Sequence, residues 1–381
     1  MRIAVVSPHV VYPATSGDRL RNAHLLEQLV LLGHDVHLVR HSWPDERPEP
    51  PPSGVTEHIV PGRPVGAVGG LAWRARLAAT RLRDPFALFS WGPARAGLVA
   101  RIQAICPDVV DFQHAFMWAP TGFPDVVTMV DVESRRTGSE ASANSRQIDT
   151  VERVERAALE AAAAVVVLSE RDRERCIDVA ADCAPRVHVV ELGHRPSRAG
   201  GHPIRPELAT LALVGSYDYG PNRDAAEDLV ALGPRLAAVG VARLLVVGRA
   251  AATLELSPPP GSPAVEVRSD VADVADAVLD ADALIVTLRS GGGVRVKIIE
   301  AWALGLPVVS TALGIEGLGA TDGVDAMIAP DLAGLVDCVR RMASVEVRRG
   351  VAESGLRMWA ERYDPAAMGT RMATIYQSLL T

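Results

Sequence analysis

The sequence predicts an α/β protein made of two doubly wound, Rossmann-like parallel-sheet domains facing across a cleft. Three observations carry that prediction. Short runs of Val, Ile and Leu alternate with stretches of helical periodicity, as expected for strands covered on both faces by crossover helices. The alternation lapses in an aperiodic segment, residues 194–206 (HRPSRAGGHPIRP), and then restarts. The chain has 381 residues, and an ordinary domain holds about 100–150. We therefore expect one domain over residues 1–195 and a second over 196–364, with any active site at the carboxyl ends of the strands, between the two.

In the first half, strands are expected at residues 3–6, 36–39, 109–110, 126–130, 165–168 and 187–190. A helix is expected over residues 20–32, where Leu25, Leu26, Leu29 and Leu32 keep a helical period. Residues 43–53 (WPDERPEPPPS) form a proline-rich surface loop. In the second half the strand runs are 211–214, 244–247, 265–267, 284–288, 308–310 and 327–329, each expected to lead into a helix.

Composition removes several functions. The formal charge is −7 and the pI near 5.8, against a nucleic-acid partner, which draws on a basic face. Aromatic residues make up 4%, too few for extended base-stacking or sugar-stacking surfaces. The four cysteines include no CxxC pair, so a reduced chain without structural zinc or a disulfide framework is expected. Met1 runs straight into a short strand with no signal-peptide pattern, and no apolar run approaches a membrane span. These features point to a cytoplasmic protein whose membrane contact is at most peripheral. The basic amphipathic stretch 71–84 (LAWRARLAATRLRD) could make such contact, but a solvated helix face is the favoured reading.

Chemistry concentrates in TLRSGGGVRVKIIEAWALGLPVVSTALGIEGL, which begins at Thr287. A strand leads into Gly291, Gly292 and Gly293, and a helix then starts around residues 294–297. Glycines before a helix let a ligand approach bare backbone, and the helix N-terminus directs N–H groups at it. Arg295 and Lys297, the only lysine of the chain, fall in the expected first turn. Positive charge there opposes the helix dipole, and an anionic ligand would reverse that penalty. Glu300, three residues beyond Lys297, could reach hydroxyl groups beside the same site. A glycine-rich β–α turn with solvated basic residues is the alternative. The stretch is neither a P-loop nor GxGxxG. Elsewhere, Gly17 is expected in a loop after the first strand, either as an ordinary turn glycine or as a point of close ligand approach. Asp18, Arg19 and Arg21 could meet an acceptor or cap and solvate the following helix. His114 stands at a strand end, Asp131 and Glu133 follow another strand, and Asn222 reads as a turn or cap residue.

The segment GGGVRVKIIEAWALGLPVVSTALGIEGL resembles the donor site of GT-B glycosyltransferases of the GT4 type. Residues 7–29, 108–118, 163–174 and 214–230 resemble further segments of that family in the same order. The resemblance implies transfer of a hexose-type sugar from a nucleotide-diphosphate sugar to a hydroxyl acceptor of unknown class. It implies retention of configuration and neither cofactor nor metal. It assigns phosphate compensation to Arg295, Lys297 and the N–H groups after Gly293, and the ribose hydroxyls to Glu300. It places His114 toward the donor sugar, Arg268, in a loop after 265–267, against the nucleobase, and Glu316 at a sugar or ribose hydroxyl. Gly17 would approach the phosphate, with Asp18, Arg19 and Asp131 on the acceptor side. In this fold the last helix, about 365–381, crosses back to the first domain. Gly292 stands where many members carry an acidic residue, so backbone N–H groups of 291–294 would replace it. A sugar-nucleotide 2-epimerase on the same fold and an inactive donor-binding partner subunit are the alternatives.

Overall fold

The computed structural model describes residues 1–14, 17–42, 48–62, 92–134, 145–291 and 295–381. The chain divides into two compact units, Met1–Gly193 with Pro365–Thr381, and His194–Asp364.

The described part of the first unit holds a seven-stranded parallel sheet: β1 (Arg2–Ser7), β2 (Asp35–Ser42), β3 (Val55–Pro61), β4 (Val109–Gln113), β5 (Asp125–Met129), β6 (Ala164–Val167) and β7 (Val187–Val189). Helices α1 (Gly17–Leu31), α2 (Gly92–Ile105), α3 (Ser145–Ala161) and α4 (Glu170–Val179) connect them. The order is β3-β2-β1-β4-β5-β6-β7, with β1 and β4 at the centre. Side chains alternate across a strand, so β1 feeds two cores at once. Ile3 and Val5 pack with Leu25, Leu26 and Leu29 of α1. Ala4 and Val6 pack on the opposite face with Leu98 and Ile102 of α2. A strand buried on both faces must be apolar throughout, which is why β1 was visible as an unbroken run. Strand β3 was not expected. It is an edge strand, mostly half-exposed, and Glu57 on it pairs at 2.6 Å with the buried Arg40 of β2.

The second unit holds β8 (Thr210–Val214), β9 (Arg243–Gly248), β10 (Ala264–Ser269), β11 (Ala283–Val286), β12 (Val308–Thr311) and β13 (Met327–Ala329). Its helices are α5 (Gly220–Ala231), α6 (Gly233–Ala237), α7 (Val274–Ala277), α8 (Val296–Leu304), α9 (Leu335–Arg341) and α10 (Val345–Met358). These strands are parallel in the order β10-β9-β8-β11-β12-β13. The expected helix after β9 is replaced by a short turn at Ala251–Thr253 and the proline-rich residues 254–263. Residues 194–206, read as a linker, are bound into this unit. Gly200 N donates to Ala303 O at 2.6 Å, and Arg205 donates to Leu279 O at 2.8 Å and to Ala281 O at 3.0 Å.

After α10 and the π-helical turn Trp359–Tyr363, the last helix, α11 (Pro365–Ser378), joins the first unit. Met368, Met372, Ile375 and Tyr376 complete the core that contains Leu25, Leu26 and Leu29. Fully buried Tyr376 donates its hydroxyl to Asp111 Oδ2 at 2.5 Å, and Thr128 donates to Asp111 Oδ1 at 2.8 Å. Burial raises the Asp111 carboxyl above the usual range, and Tyr376, Arg21 and Thr128 oppose that shift. A hydrogen bond to a buried carboxylate contributes about 1.5–3 kcal/mol. Tyr376→Phe is expected to lower unfolding stability by that amount in a denaturant titration. A midpoint unchanged from wild type would show that the bond does not hold α11 in place.

Candidate functional site

In the second unit the strand order reverses between neighbours β8 and β11: β9 and β10 extend the sheet one way, β12 and β13 the other. Loops leaving two such strands diverge, which opens a crevice at their carboxyl ends where ligands bind in sheets of this kind. The described parts of the two loops here are residues 215–219 and 287–291. They touch through Gly291, which has φ +105. A Cβ at that position would lie 3.0 Å from Tyr219 Oη and 3.4 Å from Pro221 Cβ. Both the backbone angle and the packing therefore call for glycine. Gly292 and Gly293 lie outside the described residues.

Helix α8 starts at Val296, so Arg295 is its N-cap and stands just before the first turn in which it was expected. Arginine has no acceptor with which to cap; its Nη2 instead donates to Gly291 O at 2.8 Å. Lys297 is in the first turn, and its Nζ donates to Asn222 Oδ1 at 2.9 Å. Asn222 is oriented for this by its Nδ2, which donates to Ser216 O at 2.8 Å. Asn222 therefore joins the loop after β8 to the helix after β11. Burial of the amine, and then the neighbouring Arg295, lower the Lys297 pKa from 10.5 to about 7.

Glu300 lies one turn further along α8, its Oε1 4.0 Å from His194 Nε2. His194 was read as linker, yet it is 6% exposed. Its backbone N donates to Tyr363 O at 2.9 Å, and its carbonyl accepts from Trp359 Nε1 at 2.8 Å. No spacing or composition signal marked it. The helix itself is anchored by buried Trp302, whose Nε1 donates to Asp325 O at 2.9 Å. A Cβ at Gly355 would overlap the Trp302 ring. Gly305 ends the helix in the left-handed conformation at φ 77.

One expected donor residue stands differently. Arg268 is within edge strand β10 and not in a loop beyond it, and its guanidinium is engaged by Glu266 at 2.7 Å and Asp280 at 2.9 Å. Glu316 is exposed in the turns that follow β12.

The first unit reverses its strand order between β1 and β4. Gly17 is the first residue of α1 and not a loop residue, so Asp18 and Arg19 fall in that helix's first turn. Asp18 Oδ2 stands 3.3 Å from Nε2 of His9, which follows β1. His114, just past β4, has φ 88, uncommon for a residue with a side chain. Its N–H bonds Thr128 O at 2.8 Å, and its ring stacks on Phe116 with centroids 4.9 Å apart. Asp131 lines a shallow crevice with His114, Phe116, Glu133 and Glu155. Glu155, unremarked in the sequence, accepts the backbone N–H of Glu133 at 2.6 Å and of Ser134 at 3.2 Å, and burial raises its carboxyl to about 7. Arg21, expected at solvent, is wholly buried and donates to Gln113 Oε1 at 2.7 Å. The stretch 71–84 lies outside the described residues. Among those described, no helix is long and apolar enough to cross a membrane.

Residues 209–344, within the second unit, match the family described as glycosyl transferases group 1. No curated protein matches the chain. Among solved structures, sucrose-phosphate synthase from Thermosynechococcus elongatus is 17% identical, with 100% of this chain and 99% of that one covered and a TM-score of 0.72. HepE of Anabaena, solved in complex with UDP-glucose, is 14% identical over 99% of this chain and 100% of its own, TM-score 0.65. The lipopolysaccharide outer core galactosyltransferase WaaB is 13% identical over 99% of each chain, TM-score 0.67. Residues 209–344 thus carry a domain like those of the glycosyl transferases group 1 family, and the chain shares its fold with these solved structures.

The Lys297 amine yields a pH test. Between pH 7 and 10.5 the unfolded chain holds a proton on this lysine that the folded chain lacks. Stability must then rise with pH across that window, because the unfolded state binds more protons there. The melting temperature of the wild type is expected to climb relative to Lys297→Met between pH 7 and 10. Parallel curves for the two proteins would show that the amine titrates as an ordinary surface lysine.

Proposed function

We propose that the enzyme transfers a hexose-type sugar from a nucleotide-diphosphate sugar to a hydroxyl acceptor, with retention of configuration, in the manner of GT4-type transferases. The observation that carries the reading is Lys297: an amine enclosed beside a second cation, at the switch point of the sheet, with its proton affinity reduced. Such an arrangement opposes folding unless a counter-charge arrives, and a diphosphate supplies about two negative charges. Binding the donor returns the proton to Lys297. As the glycosidic bond breaks, charge accumulates on the leaving diphosphate, so the two cations hold the transition state more tightly than the ground state. Glu300 offers a carboxylate to the ribose diol one helical turn away. HepE was solved in complexes with UDP and with UDP-glucose, which supports a donor of this type. The acceptor side is assigned to the first unit, where Asp131 borders the crevice beside His114. Free thiols at Cys176 and Cys183 suit a cytoplasmic enzyme.

Two measurements test this. In titration calorimetry, Glu300→Ala is expected to bind UDP roughly thirtyfold more weakly than wild type, from about 2 kcal/mol of lost hydrogen bonding to two hydroxyls. An unchanged dissociation constant would remove Glu300 from the donor site. Arg295 and Lys297 already supply the cations that a metal would otherwise bring to the diphosphate. Slow hydrolysis of UDP-glucose is therefore expected to continue in excess EDTA. Complete arrest, reversed by magnesium or manganese, would overturn the metal-independent reading.

A further inference from the structure

We propose that His9, Asp18 and His114 form a binding site for a borderline-soft divalent cation of the zinc type. One ligand atom from each residue lies within 4.8 Å of the other two. The three residues come from separate segments: His9 from the loop after β1, Asp18 from the first turn of α1, and His114 from the end of β4. They meet at the carboxyl ends of the neighbouring strands β1 and β4, where the strand order reverses.

The spacing is compatible with one ion. Zinc binds imidazole nitrogen and carboxylate oxygen at about 2.0–2.2 Å, which sets neighbouring donors of a tetrahedral site about 3.4 Å apart. The His9 Nε2 to Asp18 Oδ2 distance is already 3.3 Å. The His114 nitrogen lies no more than 4.8 Å from either of the other two ligand atoms, so it has at most about 1.4 Å to close toward that value. Donor chemistry sets the class of ion. Calcium and magnesium prefer an all-oxygen shell, whereas two imidazoles and one carboxylate suit zinc and its first-row neighbours. Three protein ligands would leave one coordination position of a four-coordinate ion open. The backbone of His114, at φ 88, is in a sparsely populated region of the kind that clusters at ligand sites. All three ligands belong to the first unit, while Arg295, Lys297 and Glu300 of the proposed donor site belong to the second. Metal uptake is therefore read out separately from donor binding at those three residues.

Cobalt(II) is the probe, because its visible absorption reports coordination without any turnover assay. Wild-type protein is expected to take up one equivalent of Co²⁺ with the intense visible bands of a four- or five-coordinate nitrogen–oxygen site, and to lose them when Zn²⁺ is added. His9→Ala, and Asp18→Asn as the shape-preserving variant, are each expected to weaken Co²⁺ binding at least tenfold, a loss that even outer-shell changes reach. His58→Ala should leave it intact, although His58 Nε2 and His37 Nδ1, 2.9 Å apart, form another histidine pair in the same unit. Melting curves of the three variants establish that each is folded. Absence of a one-equivalent spectrum in the wild type overturns the proposal. So does a spectrum that survives both His9→Ala and Asp18→Asn, or one that disappears only with His58→Ala.

Discussion

Each sheet reverses its strand order once, and the chemistry of the chain gathers at those two reversals. Where β8 meets β11, the loops of two strands that leave in opposite directions bring Gly291 against Tyr219 and Lys297 against Asn222. Where β1 meets β4, the same geometry brings His9, Asp18 and His114 within 4.8 Å of one another. Crossover helices must return each strand in parallel, so only one position in each sheet leaves the carboxyl ends uncovered. Side chains from distant parts of the sequence meet there without a dedicated scaffold.

Holding charge at such a place requires rigid support. Helix α8 presents Lys297 and Glu300 on one side while Ile298, Ile299, Ala301, Trp302, Ala303 and Leu304 bury the remainder. Trp302 alone ties it to Asp325 by a hydrogen bond and to Tyr363 by ring contact at 5.8 Å. That apolar anchorage fixes the helix from which Lys297 reaches Asn222, while burial of the amine and then the neighbouring Arg295 lower its proton affinity.

The central strands were legible because parallel strands covered on both faces must be apolar throughout, as residues 3–6 and 211–214 are. Edge strands were not: β3 carries Glu57 and His58 and faces solvent on one side, so its residues read as loop. The same effect misplaced Arg268, whose strand is half-exposed and alternates charge with apolar residues. In the site, helix dipole reasoning singled out Lys297. Its partner Asn222 lies 75 residues away, and such a contact leaves no local signal. His194 escaped for a related reason: proline, glycine and arginine around it spell a linker, whereas tertiary hydrogen bonds from Trp359 and to Tyr363 bind it in place. Arg21 shows the limit of composition, since an arginine on a first helical turn and a half reads as solvated until its buried partner Gln113 is known.

The return of α11 has a consequence for how the molecule is made. The first unit begins at Met1 and closes with Pro365–Thr381, so the second unit is an insertion in its sequence. The bond from Tyr376 to Asp111 spans 265 residues. During synthesis the inserted unit emerges whole and can fold as soon as it leaves the ribosome. The unit that begins first finishes last, with one face of its core, around Leu25, Leu26 and Leu29, awaiting the final helix. A truncation just before Pro365 would therefore injure the first unit and spare the second, which it directly follows.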